Sequence, residues 1–207
     1  MEVIPLTDNL FIFDCEVFAY DWLFSFKNKV TKERTKIWND NEAVKQFMKQ
    51  EPLLAGFNNK HYDQFILKAV LCDFTPEQIK AVNDFIILEG HEGWEYAPLR
   101  DCGIFFDQYD LMDDCQMGLS LKAIEAHLGM DIRETTVSFD IDRPLTEQEK
   151  DEVEFYCDHD VDATDTLDDL RQGYLSSKLT LGKEKGIYPA KALYMTNAKL
   201  TAAYLDA

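Results

Sequence analysis

Two carboxylates stand within an apolar stretch near the N-terminus, Asn9–Tyr20, which reads NLFIFDCEVFAY. Leu10–Phe13 has the composition of a buried β-strand, and Asp14 and Glu16 follow it two positions apart. Residues i and i+2 of a strand project from the same face, so both carboxylates would point the same way. Like charges so placed resist burial, and a divalent metal ion is the usual partner that relieves the repulsion. The alternative is that the strand ends before Asp14 and that both acids are solvated in a turn.

A third acid, Asp63, follows a second apolar segment, Leu53–Phe57, which is also predicted to be a buried strand. Asp63 falls in the first turn of a helix predicted from about His61 to Cys72, and Asn59 could cap this helix. If the two strands are neighbours, its carboxylate lies near those of the first strand. The alternative is that Asp63 only complements the helix dipole.

A long helix is predicted to begin at a capping box, Thr146 to Glu149, and to end near Gln172. Residues at i, i+3, i+7, i+11 and i+14 share one of its faces. They are Val153, Tyr156, Asp160, Thr164 and Leu167. Asp160 therefore lies in the stripe expected to face the core, where a metal shared with the first strand would supply its partner; the alternative is an error in the helix register.

The acids mostly off this face are expected to be solvated, and His159 is expected on the helix surface. Those acids are Asp158, Asp162, Asp165 and Asp169.

Asp158-x-Asp160-x-Asp162 also invites interpretation as a calcium loop. An EF-hand loop starting at Asp158 needs glycine at its sixth position and a bidentate glutamate at its twelfth. Ala163 and Asp169 stand there, so this interpretation is rejected.

The three acidic patterns occur in a fixed order along the chain: Asp14-x-Glu16, Asn59-x-x-Tyr62-Asp63 and Tyr156-x-x-x-Asp160. Together they resemble the exonuclease motifs of the DnaQ-like, or DEDD, 3′–5′ exonuclease superfamily, over roughly residues 8–172. A tyrosine four residues before the last aspartate is typical of the DEDDy type. The histidine type would need His five residues before it, where Phe155 stands.

The resemblance implies an α/β, RNase H-like (DnaQ-like) fold, a mixed β-sheet with an antiparallel three-stranded meander, flanked by helices. Residues 1–172 would form the exonuclease domain. Residues 173–207 would be a basic helical extension, the start of a linker or polymerase region. The finer likeness is to the N-terminal proofreading exonuclease domains of phage or prophage DNA polymerases. The implied partners are the 3′ end of single-stranded DNA and a polymerase domain in the same parent chain.

The resemblance also implies a mechanism and a set of site residues. Two ions, Mg²⁺ or Mn²⁺, would hydrolyse the phosphodiester and release nucleoside 5′-monophosphates. Asp14, Glu16 and Asp160 would hold one ion, while Asp14 would bridge to the second with help from Asp63. Tyr156 would orient the attacking water. Substrate contacts are expected from residues that flank the motifs: Phe18, Asn59 and Lys60.

Two further functions stay open. One is a free-standing exoribonuclease or oligonucleotide trimmer of the same superfamily, and the other is a catalytically silent interaction module with an inherited fold.

Composition limits the class of protein. A hydrophobic content of 46% suits a folded core, and no apolar run approaches the ~20 residues of a membrane span. The first ten residues do not have the pattern of a secretory signal.

Five cysteines, with no CxxC pair, indicate free thiols in a reducing cytoplasm, that of the host cell if the protein is phage-encoded. The net charge is −18, but from Arg171 onward six Lys and Arg against two acids give +4, which leaves −22 for residues 1–170.

The remaining elements follow from turn, cap and periodicity signals. Strands are predicted at 21–26, 35–38 and 104–111, and residues 90–103 and 131–144 are predicted to be irregular. Helices are predicted at 41–50, 76–88 and 121–128, the last capped by Ser120 and closed by Gly129, with helical potential at 191–205.

Overall fold

A five-stranded mixed sheet forms the centre of the α/β fold in the computed structural model, which describes residues 8–115 and 118–205. The strands are β1 (Leu10–Val17), β2 (Trp22–Asn28), β3 (Arg34–Trp38), β4 (Leu53–Gly56) and β5 (Gln108–Asp110). The helices are α1 (Asn41–Met48), α2 (Asp63–Leu71), α3 (Pro76–Ile87), α4 (Ala97–Arg100), α5 (Leu121–Leu128), α6 (Glu147–Glu184), α7 (Pro189–Tyr194) and α8 (Asn197–Leu205). Two short 3-10 helices lie at Gly93–Glu95 and Leu111–Asp114.

The sheet order is β3-β2-β1-β4-β5. Antiparallel pairing of β1 with β2 and of β2 with β3 forms the predicted three-stranded meander. The whole sheet is not a plain meander, because β4 pairs in parallel with β1 and β5 in parallel with β4. Parallel strands end at the same edge of a sheet, so the carboxyl ends of β1 and β4 come together.

The alternation of side chains along β1 divides the core into two layers. Phe11, Phe13 and Cys15 pack in a cluster with residues of α1, α2 and α3. Leu10 and Ile12 face the other way, into a cluster that contains residues of α6. Asp14 and Glu16 continue the register of Leu10 and Ile12, so they project toward the α6 side of the sheet.

The helix predictions hold well for position and less well for length. Ser120 caps α5, which Gly129 closes in the left-handed conformation, and Thr146 caps α6 through a capping box. The predicted end of α6 near Gln172 is wrong, because the helix continues to Glu184. The proposed division at residue 172 therefore falls inside one helix.

The C-terminal helices pack against this extended part of α6. The buried Lys178 ammonium donates hydrogen bonds to the carbonyls of Leu193 and Met195, both at 2.7 Å. A Cβ added to Gly182 would lie 2.6 Å from the Cβ of Ala192, so α6 and α7 approach closely there.

Three local predictions are corrected. Asn59 does not cap α2: Tyr62 is the N-cap residue, while Asn59 is fully buried and its side-chain amide contacts that of Gln108 at 2.8 Å. The strand predicted at 104–111 is reduced to the three residues of β5. The segment predicted to be a loop, 90–103, contains a 3-10 helix and α4.

The acids on the outer part of α6 are not all solvated. Asp165 is 4% exposed and pairs with Lys27, Lys29 and Lys32 of the β2–β3 hairpin. Asp158 pairs with Arg34 from the same hairpin. The prediction of solvent exposure fails for Asp165 because a local pattern does not reveal which distant cations lie opposite.

No helix among residues 8–115 and 118–205 combines the length and the apolar character needed to cross a lipid bilayer. Residues 1–7 and 206–207 lie outside the described part of the chain, and so do the predictions about an N-terminal signal segment and about continuation beyond Ala207.

Candidate metal and catalytic site

The first two acidic residues lie at the end of β1, where the sheet meets α6. Glu16 is 8% exposed and Asp14 is partly buried. Asp14 lies opposite Ser25 in β2, and Glu16 opposite Leu23. The prediction that both carboxylates share one face of a strand is confirmed, and the alternative of a solvated turn fails, because β1 continues to Val17.

Helix α6 adds a thiol directly beside them. Cys157 is fully buried, and its Sγ lies 3.6 Å from Oδ2 of Asp14. One ligand atom each from Asp14, Glu16 and Cys157 lies within 4.8 Å of the other two. Asp160 stands one turn further along the same helix, with its side chain 13% exposed. It belongs to the same group of charges, because it raises the pKa of both Asp14 and Glu16.

Asp63 reaches the cluster from the start of α2. It is 3% exposed, and its Oδ1 accepts a hydrogen bond of 3.1 Å from the backbone N–H of Cys15, the residue between the two strand acids. Burial raises its pKa to about 7, although hydrogen bonds from Cys15 act in the opposite direction. The prediction that Asp63 lies near the first strand is confirmed.

The electrostatics of these carboxylates favour a bound cation. Burial first, and then the charges of neighbouring carboxylates, raise the pKa of Asp14 and Glu16 well above the ordinary range. The Glu16 side chain has no hydrogen-bond or ion-pair partner in the part of the chain that the structure describes. Carboxylate oxygens that have few or no protein donors, as at Glu16, are a donor set that fits a hard divalent ion such as Mg²⁺ or Mn²⁺.

The local pattern gave no signal for Lys122, in the first turn of α5. Its ammonium forms an ion pair with Asp160 and lies 3.6 Å from Glu125. Its attraction also lowers the pKa of Glu16, against the larger effect of burial. Lys122 therefore supplies part of the positive charge that the acidic cluster needs.

Tyr156 lies beside Lys122 and the acids. The Lys122 Nζ atom is 4.9 Å from the centre of its ring. Burial, followed by the negative charges of Asp160 and Glu16, raises the pKa of the phenol. Tyr156 is consequently a neutral hydrogen-bonding group at physiological pH and is a poor general base.

His159 is not the surface histidine that was predicted. Its side chain is 17% exposed, and Nε2 lies 3.1 Å from Oε1 of the buried Glu125. The pair has no hydrogen-bond geometry, so the contact is a close approach of two polar atoms. Polar contacts of α5 with Asp160, with Tyr156 and with His159 thus help to pack α5 on α6.

A cleft of about 280 Å³ opens beside Glu16, between the end of β1 and helix α3. Its lining includes Tyr62, Asn83, Ile87 and Phe139. The Tyr62 hydroxyl donates to Oδ1 of Asn83 at 2.7 Å. Phe139 is 45% exposed, and its ring stacks at 5.0 Å on the buried ring of Phe18. The cleft therefore offers an aromatic face adjoining the carboxylates.

The three residues predicted to contact substrate are engaged within the protein. Phe18 is 1% exposed and Asn59 is fully buried. Lys60 forms an ion pair with Asp113 and donates to the carbonyl of Tyr194 at 2.7 Å. A role in substrate binding does not fit these environments, and in the stacked pair of Phe18 and Phe139 the exposed ring is that of Phe139.

No protein-family model matches the chain, and searches of curated proteins and of solved structures return no match.

Proposed function

We propose that the protein is a metal-dependent 3′–5′ exonuclease that removes nucleoside 5′-monophosphates from the 3′ ends of single-stranded DNA. The observation that carries the proposal is the convergence of carboxylates from three distant elements. Asp14 and Glu16 of β1, Asp63 of α2 and Asp160 of α6 lie close enough for their charges to raise the pKa of Asp14. The three-stranded meander extended by two parallel strands supports an RNase H-like fold of the DnaQ-like type.

The donor set suits two ions of Mg²⁺ or Mn²⁺. Asp14, Glu16 and Asp160 would hold one of them, and Asp14 with Asp63 would hold the other. Bound there, the ions supply a nucleophile at neutral pH and stabilise the charge that develops on the phosphate.

The remaining site residues orient the attacking water, balance negative charge and bind the terminal nucleotide. The neutral phenol of Tyr156 donates a hydrogen bond that orients the attacking water. The ammonium of Lys122 holds Asp160 and balances part of the acidic cluster. The cleft beside Glu16 receives the terminal nucleotide, whose base stacks on Phe139 in the manner of single-strand binding sites.

Proofreading is the cellular role that best suits this activity. In this proposal the protein is the exonuclease part of a DNA-directed DNA polymerase chain. A polymerase domain would deliver the frayed 3′ end, which explains why the body of the protein can remain strongly acidic: it need not capture nucleic acid by charge alone.

The test is degradation of a 5′-labelled single-stranded DNA oligonucleotide in Mn²⁺ and in EDTA. The wild type is expected to shorten the oligonucleotide from its 3′ end only in Mn²⁺. Asp14→Ala and Asp160→Ala should abolish this activity, and Tyr156→Phe should reduce it less. Asp151→Ala is a matched control, because Asp151 is an exposed acid of the same helix.

Full activity in Asp160→Ala would contradict the proposed site. A parallel assay on RNA of the same sequence separates the alternatives, because the 2′-hydroxyl is the group that distinguishes the substrates. Degradation of RNA alone would indicate an exoribonuclease. No metal-dependent cleavage of either substrate would indicate a silent interaction module.

A further inference from the structure

The thiol of Cys157 is the feature of the site that the proposed hydrolysis does not use. Two-ion hydrolysis by Mg²⁺ or Mn²⁺ needs oxygen ligands, and magnesium in particular prefers octahedral oxygen donors. Cys157 instead places a fully buried sulfur beside Asp14, on the helix that also carries Asp160. A sulfur in this position changes which cations the site prefers.

We propose that Asp14, Glu16 and Cys157 form a binding site for a single thiophilic divalent cation, of which Zn²⁺ is the physiological representative. One ligand atom from each residue lies within 4.8 Å of the other two. Ligand bonds of about 2.0–2.3 Å to oxygen and sulfur place one ion among three such donors after small side-chain movements.

The environment of Glu16 provides independent support. Its side chain is 8% exposed and lies within the cluster, yet it has no hydrogen-bond or ion-pair partner among residues 8–115 and 118–205. A carboxylate on a largely buried residue with no protein donor is less well stabilised than one in water, and a coordinated cation relieves this. Three protein ligands also leave a fourth tetrahedral position for water, as in open zinc sites.

Binding exchanges a proton for the metal. The S–H bond of Cys157 breaks, a sulfur–metal bond forms and the proton passes to the buffer. A soft thiolate ligand favours Zn²⁺ strongly over Mg²⁺, whereas carboxylate ligands also suit Mg²⁺ and Mn²⁺. Because the thiophilic ion would occupy Asp14 and Glu16, it should exclude the ions needed for hydrolysis. This last step rests on the proposed nuclease function, but the binding site does not.

The binding test uses Cd²⁺ and Co²⁺ as spectroscopic probes, because both give sulfur-to-metal charge-transfer bands when a thiolate coordinates them. Cys72 and Cys102 interact with each other and could bind the same probes. The reference protein therefore carries Cys72→Ser and Cys102→Ser. It is expected to give a charge-transfer band that saturates at one ion per chain.

Adding Cys157→Ser should abolish the band. It should also weaken Zn²⁺ binding in calorimetry by at least about tenfold, the lower end of what removal of an outer-sphere partner costs. Mn²⁺ affinity should change little, because manganese does not depend on the sulfur. Cys15→Ser is the matched control: Cys15 is also buried, but its side chain packs on the opposite face of β1, so the band should remain.

Circular dichroism checks that each variant is folded. Glu16→Gln provides a second route if Cys157→Ser does not fold, since it should weaken Zn²⁺ binding while the sulfur band remains. A band that persists in Cys157→Ser, or a reference protein without a band, would overturn the inference.

The nuclease assay is a separate arm. Zn²⁺ should inhibit cleavage in Mn²⁺, and Cys157→Ser should need at least about ten times more Zn²⁺ for the same inhibition. If the protein binds Cd²⁺ through Cys157 but cleaves no nucleic acid, the metal site stands and the proposed function fails. If cleavage occurs but no sulfur-to-metal band is seen, the proposed function stands and the metal site fails.

Discussion

In the absence of divalent ions, the protein should lose stability as the pH rises from about 5 to about 8. Burial and neighbouring charges raise the pKa of Asp14, Glu16 and Asp63. The folded state then binds protons more tightly than the unfolded state. Ionising these groups in the folded protein costs free energy. This cost is absent at a pH below their pKa in the unfolded state, near 4, and is fully present at a pH above their pKa in the folded state.

Asp63 allows the size of the effect to be worked out. Its pKa rises from the ordinary value of 3.8 to about 7 in the folded protein. At about 1.36 kcal/mol per pKa unit, this difference destabilises the folded protein at high pH by on the order of 4 kcal/mol. Such a loss is a large fraction of the roughly 5–15 kcal/mol that holds a domain folded. About two thirds of it develops above pH 5, which corresponds to a fall in Tm on the order of 5–10 °C over the range of the assay.

Acids with lowered pKa do not obscure this effect. Lysines of the β2–β3 hairpin hold the pKa of Asp165 below its ordinary value, and Arg143 and Thr146 lower that of Glu149 to about 2. The stability from such groups is present above the unfolded pKa and is lost only as the pH falls below about 4. It is therefore constant over the range of the experiment.

The assay is thermal unfolding between about pH 5 and pH 8 in EDTA, repeated with Mn²⁺ and with Asp63→Asn. Asparagine can still accept the N–H of Cys15, so the variant removes the charge without losing that bond. Wild-type Tm should fall with pH in EDTA, Asp63→Asn should reduce the slope, and Mn²⁺ should restore stability most at high pH. A wild-type Tm that is flat or rises with pH in EDTA would refute the reasoning.

Three other predictions concern the cleft, the C-terminal helices and the charged face of α6. If the protein is the proposed nuclease, Phe139→Ala should raise KM for single-stranded DNA through the loss of about 1–3 kcal/mol of base stacking, with a smaller change in kcat in steady-state kinetics. Gly182→Ala should destabilise the protein by about 1–3 kcal/mol in urea unfolding, because the new Cβ would lie 2.6 Å from an alanine of α7. Gly173→Ala is its control and should stabilise by about 0.5–1 kcal/mol, since nothing lies within 4 Å. Lys29→Met should cost about 3–5 kcal/mol in the same assay, because it removes the cation 2.8 Å from the fully buried Asp168, and Asp168→Leu in that background should recover part of the loss.

The parts of the site that the sequence could predict depend on local periodicity. A period of two is enough to place Asp14 and Glu16 on one strand face, and a helical period brings Asp160 to the side that faces β1. Capping chemistry is equally local, which is why the beginnings of α5 and α6 are correct. The same period could have identified Cys157, which precedes Asp160 by three residues and therefore shares its face.

Other features depend on contacts between distant segments. Lys122 reaches Asp160 only because α5 packs on α6. Asn59 has the right residue type for a helix cap, but the tertiary structure buries it against Gln108 instead. Phe18 and Phe139 stack on each other, and only the three-dimensional arrangement decides which ring remains exposed.

The acids of α6 explain how a strongly acidic helix can hold the face that carries Asp160 in place. Lys29 and Arg34 of the β2–β3 hairpin pair with Asp165 and Asp158 along one side of the helix. Rotation of α6 about its axis would break these pairs, several of which are partly buried and therefore costly to leave unpaired. The ion pairs thus fix the orientation in which Asp160 faces β1, so the acids outside the site help to build it. The net charge of the chain does not distinguish the acids that pair with the hairpin from the acids of the candidate site, because it counts every carboxylate equally.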